Sequence, residues 1–365
     1  MGDQISDLTR VYNMLEDNQS KDIYLKRLNY LLTGDFKYIR DIVARYTPDL
    51  VPWNDKGFAD LIALLPKDKD FVLYGAGLDG RCMLPFCEGD RRFVGFCADD
   101  KEKQKTGYLG YPVISPEELL ARRDLSVIIC TSRARDEIFS VLSNGNYPSN
   151  LIFDGPMFYS RRVVALDQYF VSDFMRFEDE EVFVDAGCHK MDTSLGLRKF
   201  CRHVKKVYAF EPDPHNYEVC LKMKEKFHFA EAKIIPFGTW SENTTLLFYP
   251  LGNDCSYLCK AGIETPVQKK SDVIEVPVMP IDDAIEAGDR VTTIKMDVEG
   301  AEMESLKGAR RTIQRDKPKL AICIYHKPED MVEIPLYIKE LVPEYKFYIR
   351  HHSSGSDETV LYAMP

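Results

Sequence analysis

The sequence predicts an α/β chain in three parts: a helical segment over residues 1–65, a small α/β unit over 66–160 and a larger one over 161–365. Three observations lead there. Apolar residues near the N-terminus recur at helical spacing, with no alternating strand pattern. From Phe71 onward short apolar runs alternate with helical stretches, first on a small scale and then on a larger one, which implies parallel sheets with crossover helices. Several of these runs end in glycines or acids, the residues expected where an open parallel sheet holds a ligand.

Composition narrows the classes of function. At about 150 residues per domain, 365 residues make two or three domains, and 45% hydrophobic content is enough for sizeable cores. Lys plus Arg number 48 against 58 Asp plus Glu, a net charge of −10, which disfavours a nucleic-acid partner. Met1 to Arg10 carries no apolar core of a secretory signal, and no apolar run approaches the roughly 18 residues of a membrane span. The ten cysteines form no C-x-x-C, the closest pair being Cys255 and Cys259, so they read as reduced thiols rather than disulfides or a thiolate zinc site. A soluble enzyme of the cytoplasm is the class these features favour.

In the helical segment, Leu25, Leu28, Leu31 and Leu32 mark one face, Asn18-Gln-Ser20 a start and Thr33-Gly34 a stop, with Pro48, Pro52 and Gly57 as later punctuation. It reads as a helical cap or the surface of a homodimer. The small unit has strands at Phe71–Tyr74, Arg92–Cys97, Leu125–Cys130 and Asn150–Phe153, with helices at Arg81–Cys87, Pro116–Arg122 and Asp136–Ser143. The larger unit has strands at Glu181–Asp185, Lys206–Phe210, Lys233–Pro236, Thr292–Asp297 and Lys319–Tyr325. A hairpin follows at Lys346–Arg350 and Thr359–Ala363, and extra strands are expected at Thr244–Tyr249 and Val273–Val278.

Gly75-x-Gly77-x-x-Gly80 follows the first strand and opens a helix, the setting of a dinucleotide-binding turn, and Asp99 ends the next strand where a ribose would be held. Read alone this points to a nicotinamide-nucleotide enzyme, although no Tyr-x-x-x-Lys pair or His–acid hydride site accompanies it. The same turn also serves domains that only keep the fold.

The larger unit carries more specific chemistry. Asp185-Ala-Gly187 ends one strand and Glu211-Pro212-Asp213 the next, so two acids lie on neighbouring strand ends, and a carboxylate there suits the two hydroxyls of a ribose. Asp297 and His326 follow adjacent strands about 4.8 Å apart and can face one crevice. An imidazole titrates near neutral pH, so His326 is the candidate base and Asp297 its partner. If the chain stays extended, Glu299 shares a face with Asp297, and Asp297, Glu299 and His326 are then the candidate ligands of a divalent metal. Lys295 is read as pointing to the opposite face and is assigned no chemistry. His351 and His352 are read as a solvated pair.

Ile294-Lys-Met-Asp297-Val-Glu299-Gly-Ala-Glu302, with Tyr325-His-Lys-Pro-Glu-Asp330 and the terminal hairpin, resembles the FkbM family of S-adenosylmethionine-dependent methyltransferases. The resemblance covers about residues 165–365 and implies a class I methyltransferase sheet, Rossmann-like, behind a small Rossmann-like domain. It implies methyl transfer to an oxygen of a sugar, glycan or natural product. The cofactor S-adenosylmethionine is then expected on Asp185, Gly187, Cys188, Glu211, Pro212, Asp213, Gly238, Thr239 and Asp297, with Asp297 and His326 catalytic. One position departs: the family's first loop has a glycine where this chain has Met191. Two other readings stay open, a nicotinamide-dependent enzyme using Gly75–Gly80 and a non-catalytic subunit of the methyltransferase fold.

Overall fold

The structure is a computed structural model that describes residues 2–48, 61–131, 134–155, 168–249, 257–259 and 274–365. Pro52, Gly57, Cys255 and Val273 lie outside the described residues. The chain divides into two compact units, one made of residues 1–46 and 164–365, the other of 47–163.

The chain starts with helices α1 (Gly2–Met14), α2 (Asn18–Thr33) and α3 (Lys37–Tyr46). Asp17, one residue before the expected start, caps α2 by accepting from Ser20 N at 2.7 Å, and Gly34 ends it in the left-handed conformation at φ 68°. These helices belong to the unit with the larger sheet and cover its edge. Arg350 pairs with Asp17 at 2.7 Å, Ile349 N donates to Ser20 Oγ at 2.9 Å, and Arg27 donates to the Ser356 carbonyl at 2.6 Å. Covering an edge strand removes a row of unpaired backbone groups.

The second unit carries β1 (Phe71–Tyr74), α4 (Leu78–Cys87), β2 (Phe93–Cys97), α5 (Lys101–Thr106), β3 (Val113–Ile114), α6 (Pro116–Ala121), β4 (Ser126–Ile129), α7 (Arg135–Asn144) and β5 (Ile152–Asp154). The strands pair in parallel in the order β3-β2-β1-β4-β5, the doubly wound arrangement. The glycine turn does what its spacing asks of a close-packed turn. Gly75 has φ 131°, and a Cβ on Gly80 would stand 2.0 Å from the Gly75 carbonyl oxygen, so only glycine lets α4 approach β1 this closely. Lys103 Nζ donates to the Ala76 carbonyl at 3.0 Å and Tyr108 OH to that of Gly77 at 3.1 Å.

The larger unit continues with β6 (Glu180–Ala186), α8 (Asp192–Gly196), β7 (His203–Phe210), α9 (Pro214–Lys226), β8 (Ala232–Ile235), β9 (Gly238–Thr239), β10 (Thr244–Tyr249), β11 (Tyr257–Cys259) and β12 (Ile274–Met279). Then come α10 (Ile281–Ala284), β13 (Thr293–Met296), α11 (Glu302–Gly308), α12 (Arg310–Asp316), β14 (Lys319–Cys323), α13 (Asp330–Leu341), β15 (Lys346–His351) and β16 (Thr359–Met364). Seven strands form one sheet in the order β15-β16-β14-β13-β6-β7-β8. All neighbours are parallel except β16, which runs antiparallel between β14 and β15. This is the Rossmann-like α/β sheet that the sequence led us to expect, and its strand order reverses between β6 and β13. A second sheet, β11-β10-β12-β9, contains both extra strands expected from the sequence.

The core follows from the strand sequences. β6, β13, β14 and β16 are buried along nearly their whole length, as near-continuous apolar runs in a central sheet require. The charged residues in these runs are tied up. Glu181, at the amino end of β6, accepts from Lys319 Nζ at 2.9 Å and Thr293 Oγ1 at 2.8 Å. Among the described residues, no helix is long and apolar enough to cross a membrane.

Candidate active site

Asp185 and Lys295 are register partners on β6 and β13, so their side chains leave the sheet side by side at the point where the strand order reverses. Both are buried, and Lys295 Nζ lies 3.2 Å from Asp185 Oδ1. The ammonium also donates to the carbonyls of Ala186 at 3.2 Å and Gly187 at 2.5 Å, and Ser194 Oγ donates to Asp185 Oδ2 at 2.6 Å. Burial opposes the charge on Lys295, but Asp185 and Asp297 outweigh it and raise its pKa. Lys295 is the correction to the strand reading. Residues 295 and 297 are two apart and share a face, so the lysine belongs to the site after all.

Gly187 follows at φ 76°, and a Cβ there would stand 1.9 Å from the Asp297 carbonyl oxygen. Its absent side chain is therefore a packing requirement between two loops of the crevice. Met191 has φ 66°, the left-handed conformation for which glycine is the usual choice. Its side chain is fully buried in the core with Phe183, Leu197 and Val207, so the cost of methionine here is backbone strain of about 1–3 kcal/mol. Cys188 lies in the same core, its sulfur 3.7 Å from that of Cys220.

On the next strand end Glu211 is 5% exposed and accepts from Asp213 N at 2.9 Å. Burial pushes its pKa up to about 7, against the pull of the Asp213 and His189 backbone hydrogen bonds. Asp213 caps α9, accepting from His215 N at 2.8 Å and Asn216 N at 3.0 Å, with Pro214 at the first helical position; Pro212 is half-buried between the two acids. Gly238 and Thr239 are buried as β9 against β12, and Thr239 Oγ1 lies 2.6 Å from Ser305 Oγ. The pair is part of the second sheet, and Phe237 before it is half-buried.

Asp297 is the hub of the crevice. Tyr169 OH donates to its Oδ2 at 2.8 Å, Tyr325 OH to Oδ1 at 3.4 Å, and His326 Nε2 lies 3.6 Å from Oδ1. Burial would raise the pKa of this carboxyl, but Lys295, His326 and the Tyr169 hydroxyl hold it below the usual range. Glu299 does not continue the strand: it has φ 54° and Gly300 φ 89°, a turn that swings its Oε2 to 3.4 Å from His326 Nε2. Glu302, fully buried at the start of α11, places Oε1 2.8 Å from His326 Nδ1.

Three carboxylates therefore surround one imidazole. Burial disfavours the ring's charge, yet Glu302, Glu299 and Asp297 together push its pKa up to about 11. In this hold His326 is an imidazolium at neutral pH, with no lone pair to offer as a base until that proton leaves. Tyr169, Lys295, Glu302 and Glu358 are the site residues that sequence reasoning missed. Glu358, at φ 54°, accepts from Gln168 Nε2 at 2.9 Å, and burial and Asp297 push its pKa up to about 8. His351 and His352 are buried rather than solvated. His351 bonds Thr359 Oγ1 at 2.9 Å and the Gly355 carbonyl at 3.0 Å, while His352 bonds Tyr362 OH at 2.6 Å.

Residues 185–347 match the Methyltransferase FkbM domain, a span that contains Asp185, Glu211, Lys295, Asp297, Glu302 and His326. The likeness carried by the Ile294–Glu302 string is borne out at the level of this match. No curated protein matches the chain. Among solved structures, the methyltransferase FkbM of Methylobacillus flagellatus KT is similar at 22% identity, over 91% of this chain and 99% of that one, with a TM-score of 0.49. An rRNA methylase of Streptococcus thermophilus is 14% identical over 51% of this chain and 87% of its own, TM-score 0.33. Aeropyrum pernix fibrillarin with natively bound S-adenosyl-L-methionine is 11% identical over 55% and 74%, TM-score 0.31.

Two outcomes follow from this geometry. Lys295→Met leaves Asp185 charged and buried without its partner, and denaturant melts should show a loss of about 3–5 kcal/mol, part of which Asp185→Leu added to it restores. In metal-free protein, histidine NMR between pH 5 and 9 should show His326 as imidazolium throughout. His351 and His352, whose pKa values burial lowers, to about 3 for His352, should stay neutral. Because the pKa of His326 is raised, its contribution to stability is complete below its ordinary value of 6.5 and is lost as pH rises toward about 11.

Proposed function

We propose that the larger unit transfers a methyl group from S-adenosylmethionine to a hydroxyl oxygen, on a sugar, glycan or natural product. The observation that carries this reading is the row of acids Asp297, Asp185 and Glu211 on the adjacent strand ends of β13, β6 and β7, at the reversal of strand order. The donor set fits the cofactor. Glu211 is a buried carboxylate held by the Asp213 and His189 backbone N–H groups, with acceptor capacity left for ribose hydroxyls. The crevice walls are rich in carboxylates, which favours a sulfonium cation over a neutral ligand. When bound, S-adenosylmethionine supplies an electrophilic methyl on that sulfonium.

The residues of the chain then have separate tasks. Lys295 and Asp185 hold the Gly187 turn, whose backbone borders the cofactor. Glu211 binds the ribose, and Pro212 and Asp213 shape the turn beside it. Asp297 and His326 are the catalytic pair, with Asp297 the anion against which the acceptor hydroxyl is placed and His326 the group that orients it. The Asp297 carboxylate would accept the hydroxyl's proton, and the bound cofactor would supply the methyl group and leave as S-adenosylhomocysteine. Fixing the three reacting atoms in line supplies much of the rate.

Thermal shift of the full chain with S-adenosylhomocysteine tests the reading. At about 100 times its dissociation constant the ligand stabilises by ~2.7 kcal/mol, roughly 5 °C or more for a unit of this size. The shift should vanish in Glu211→Gln and persist in Gly77→Val. A shift with NAD⁺ or NADP⁺ alone, removed by Gly77→Val, would move the chemistry to the Gly75–Gly80 turn.

A further inference from the structure

The hold on His326 leaves something unexplained. Its side chain is only 10% exposed, and three carboxylates stand within 3.6 Å of the ring nitrogens. Even so, neither Nδ1 nor Nε2 completes an aligned hydrogen bond, and Glu302 Oε2, fully buried, has no hydrogen-bond partner. Buried polar atoms are almost always satisfied, so a cluster of three orphaned atoms in one place calls for a ligand.

One ligand atom each from Asp297, Glu302 and His326 lie within 4.8 Å of one another. His326 Nε2 lies 3.6 Å from Asp297 Oδ1, beyond hydrogen-bond reach and within the about 3–4.5 Å that separates atoms sharing a cation, while Nδ1 stands 2.8 Å from Glu302 Oε1. The three come from separate places: the end of β13, the first residue of α11 and the segment after β14. Each carboxylate is oriented from behind, as metal ligands are. Tyr169 OH donates to Asp297 Oδ2 at 2.8 Å and Val298 N to Glu302 Oε1 at 3.0 Å.

We propose that Asp297, Glu302 and His326 form a binding site for one divalent cation of the Mg²⁺ or Mn²⁺ type. Two carboxylates with one imidazole, and no thiolate, make a hard donor set that leaves coordination positions for water or a substrate oxygen. A second cluster of Asp297, Cys323 and Glu358 is as compact, but its thiol is a soft donor that suits a hard cation of this type less well than an imidazole does. The site has Glu302 in place of Glu299, the ligand expected from an extended strand, since the backbone turns at Glu299 and Gly300 instead of staying extended. The function of the cation rests on the methyl-transfer reading: it would bind the acceptor oxygen and ease loss of its proton. Binding itself does not depend on that reading.

The test is a Mn²⁺ titration of the full chain, stripped with EDTA, followed by electron paramagnetic resonance. The wild type should bind one Mn²⁺ per chain, and the spin-echo spectrum should carry the coupling of one histidine nitrogen. Glu302→Gln and His326→Gln should weaken binding at least tenfold, and Glu211→Gln should leave it unchanged. No Mn²⁺ bound by the wild type, no nitrogen coupling, or equal affinity in folded Glu302→Gln and His326→Gln would each overturn the site. S-adenosylhomocysteine binding is measured on the same samples. Mn²⁺ without that ligand would leave the site standing and defeat the methyl-transfer reading, and the converse would defeat the site alone.

Discussion

The buried pair of Lys295 and Asp185 is the constraint on which the crevice depends. Two opposite charges on neighbouring parallel strands are costly to desolvate, and the interior accepts them only because each has further partners. The ammonium donates to the Ala186 and Gly187 carbonyls, and Ser194 donates to Asp185 Oδ2. The backbone that leaves β6 is thereby pinned where it meets the loop after β13. Gly187, with no room for a Cβ against the Asp297 carbonyl, locks the two loops together. Asp297, Glu211 and the α8 start all take their places from that junction.

Charge in the crevice follows from the same packing. Lys295 answers Asp185, but among the described residues Asp297, Glu299, Glu302 and Glu358 gather about one other cation, His326. Such an excess is tolerated in water and expensive in a buried cleft. The protein relieves part of it by protons, on His326 and on the carboxyl groups whose pKa is raised. A cationic cofactor and a divalent ion are two ligands that would relieve more. The left-handed backbones at Met191, Glu299 and Glu358 are strain kept where the site needs unusual turns.

Most strands of the fold were legible because central strands, buried on both faces, must be apolar runs, and their ends fell within three residues of the expected places. The acids at Asp185, Glu211 and Asp297 were legible because strand ends in a parallel sheet are where ligands go. Lys295 was legible in principle, since period two places it beside Asp297, yet a charged residue inside a strand is easily set aside. Glu302, Tyr169 and Glu358 were not, because they reach the crevice by tertiary contact, from a helix start, a distant segment and a hairpin. The burial of His351 and His352 comes from a hairpin whose second strand inserts between β14 and β15.

Hydrogen exchange of the full chain, with and without S-adenosylhomocysteine, tests the central claim most directly, because it reports where the ligand acts. The account predicts slowed exchange in the Gly187–Ser194 loop, at Glu211–Asp213 and at Asp297–Glu302, with the Gly75–Gly80 turn unchanged. Protection confined to Gly75–Gly80, or none in the loops around Asp185 and Asp297, would contradict it.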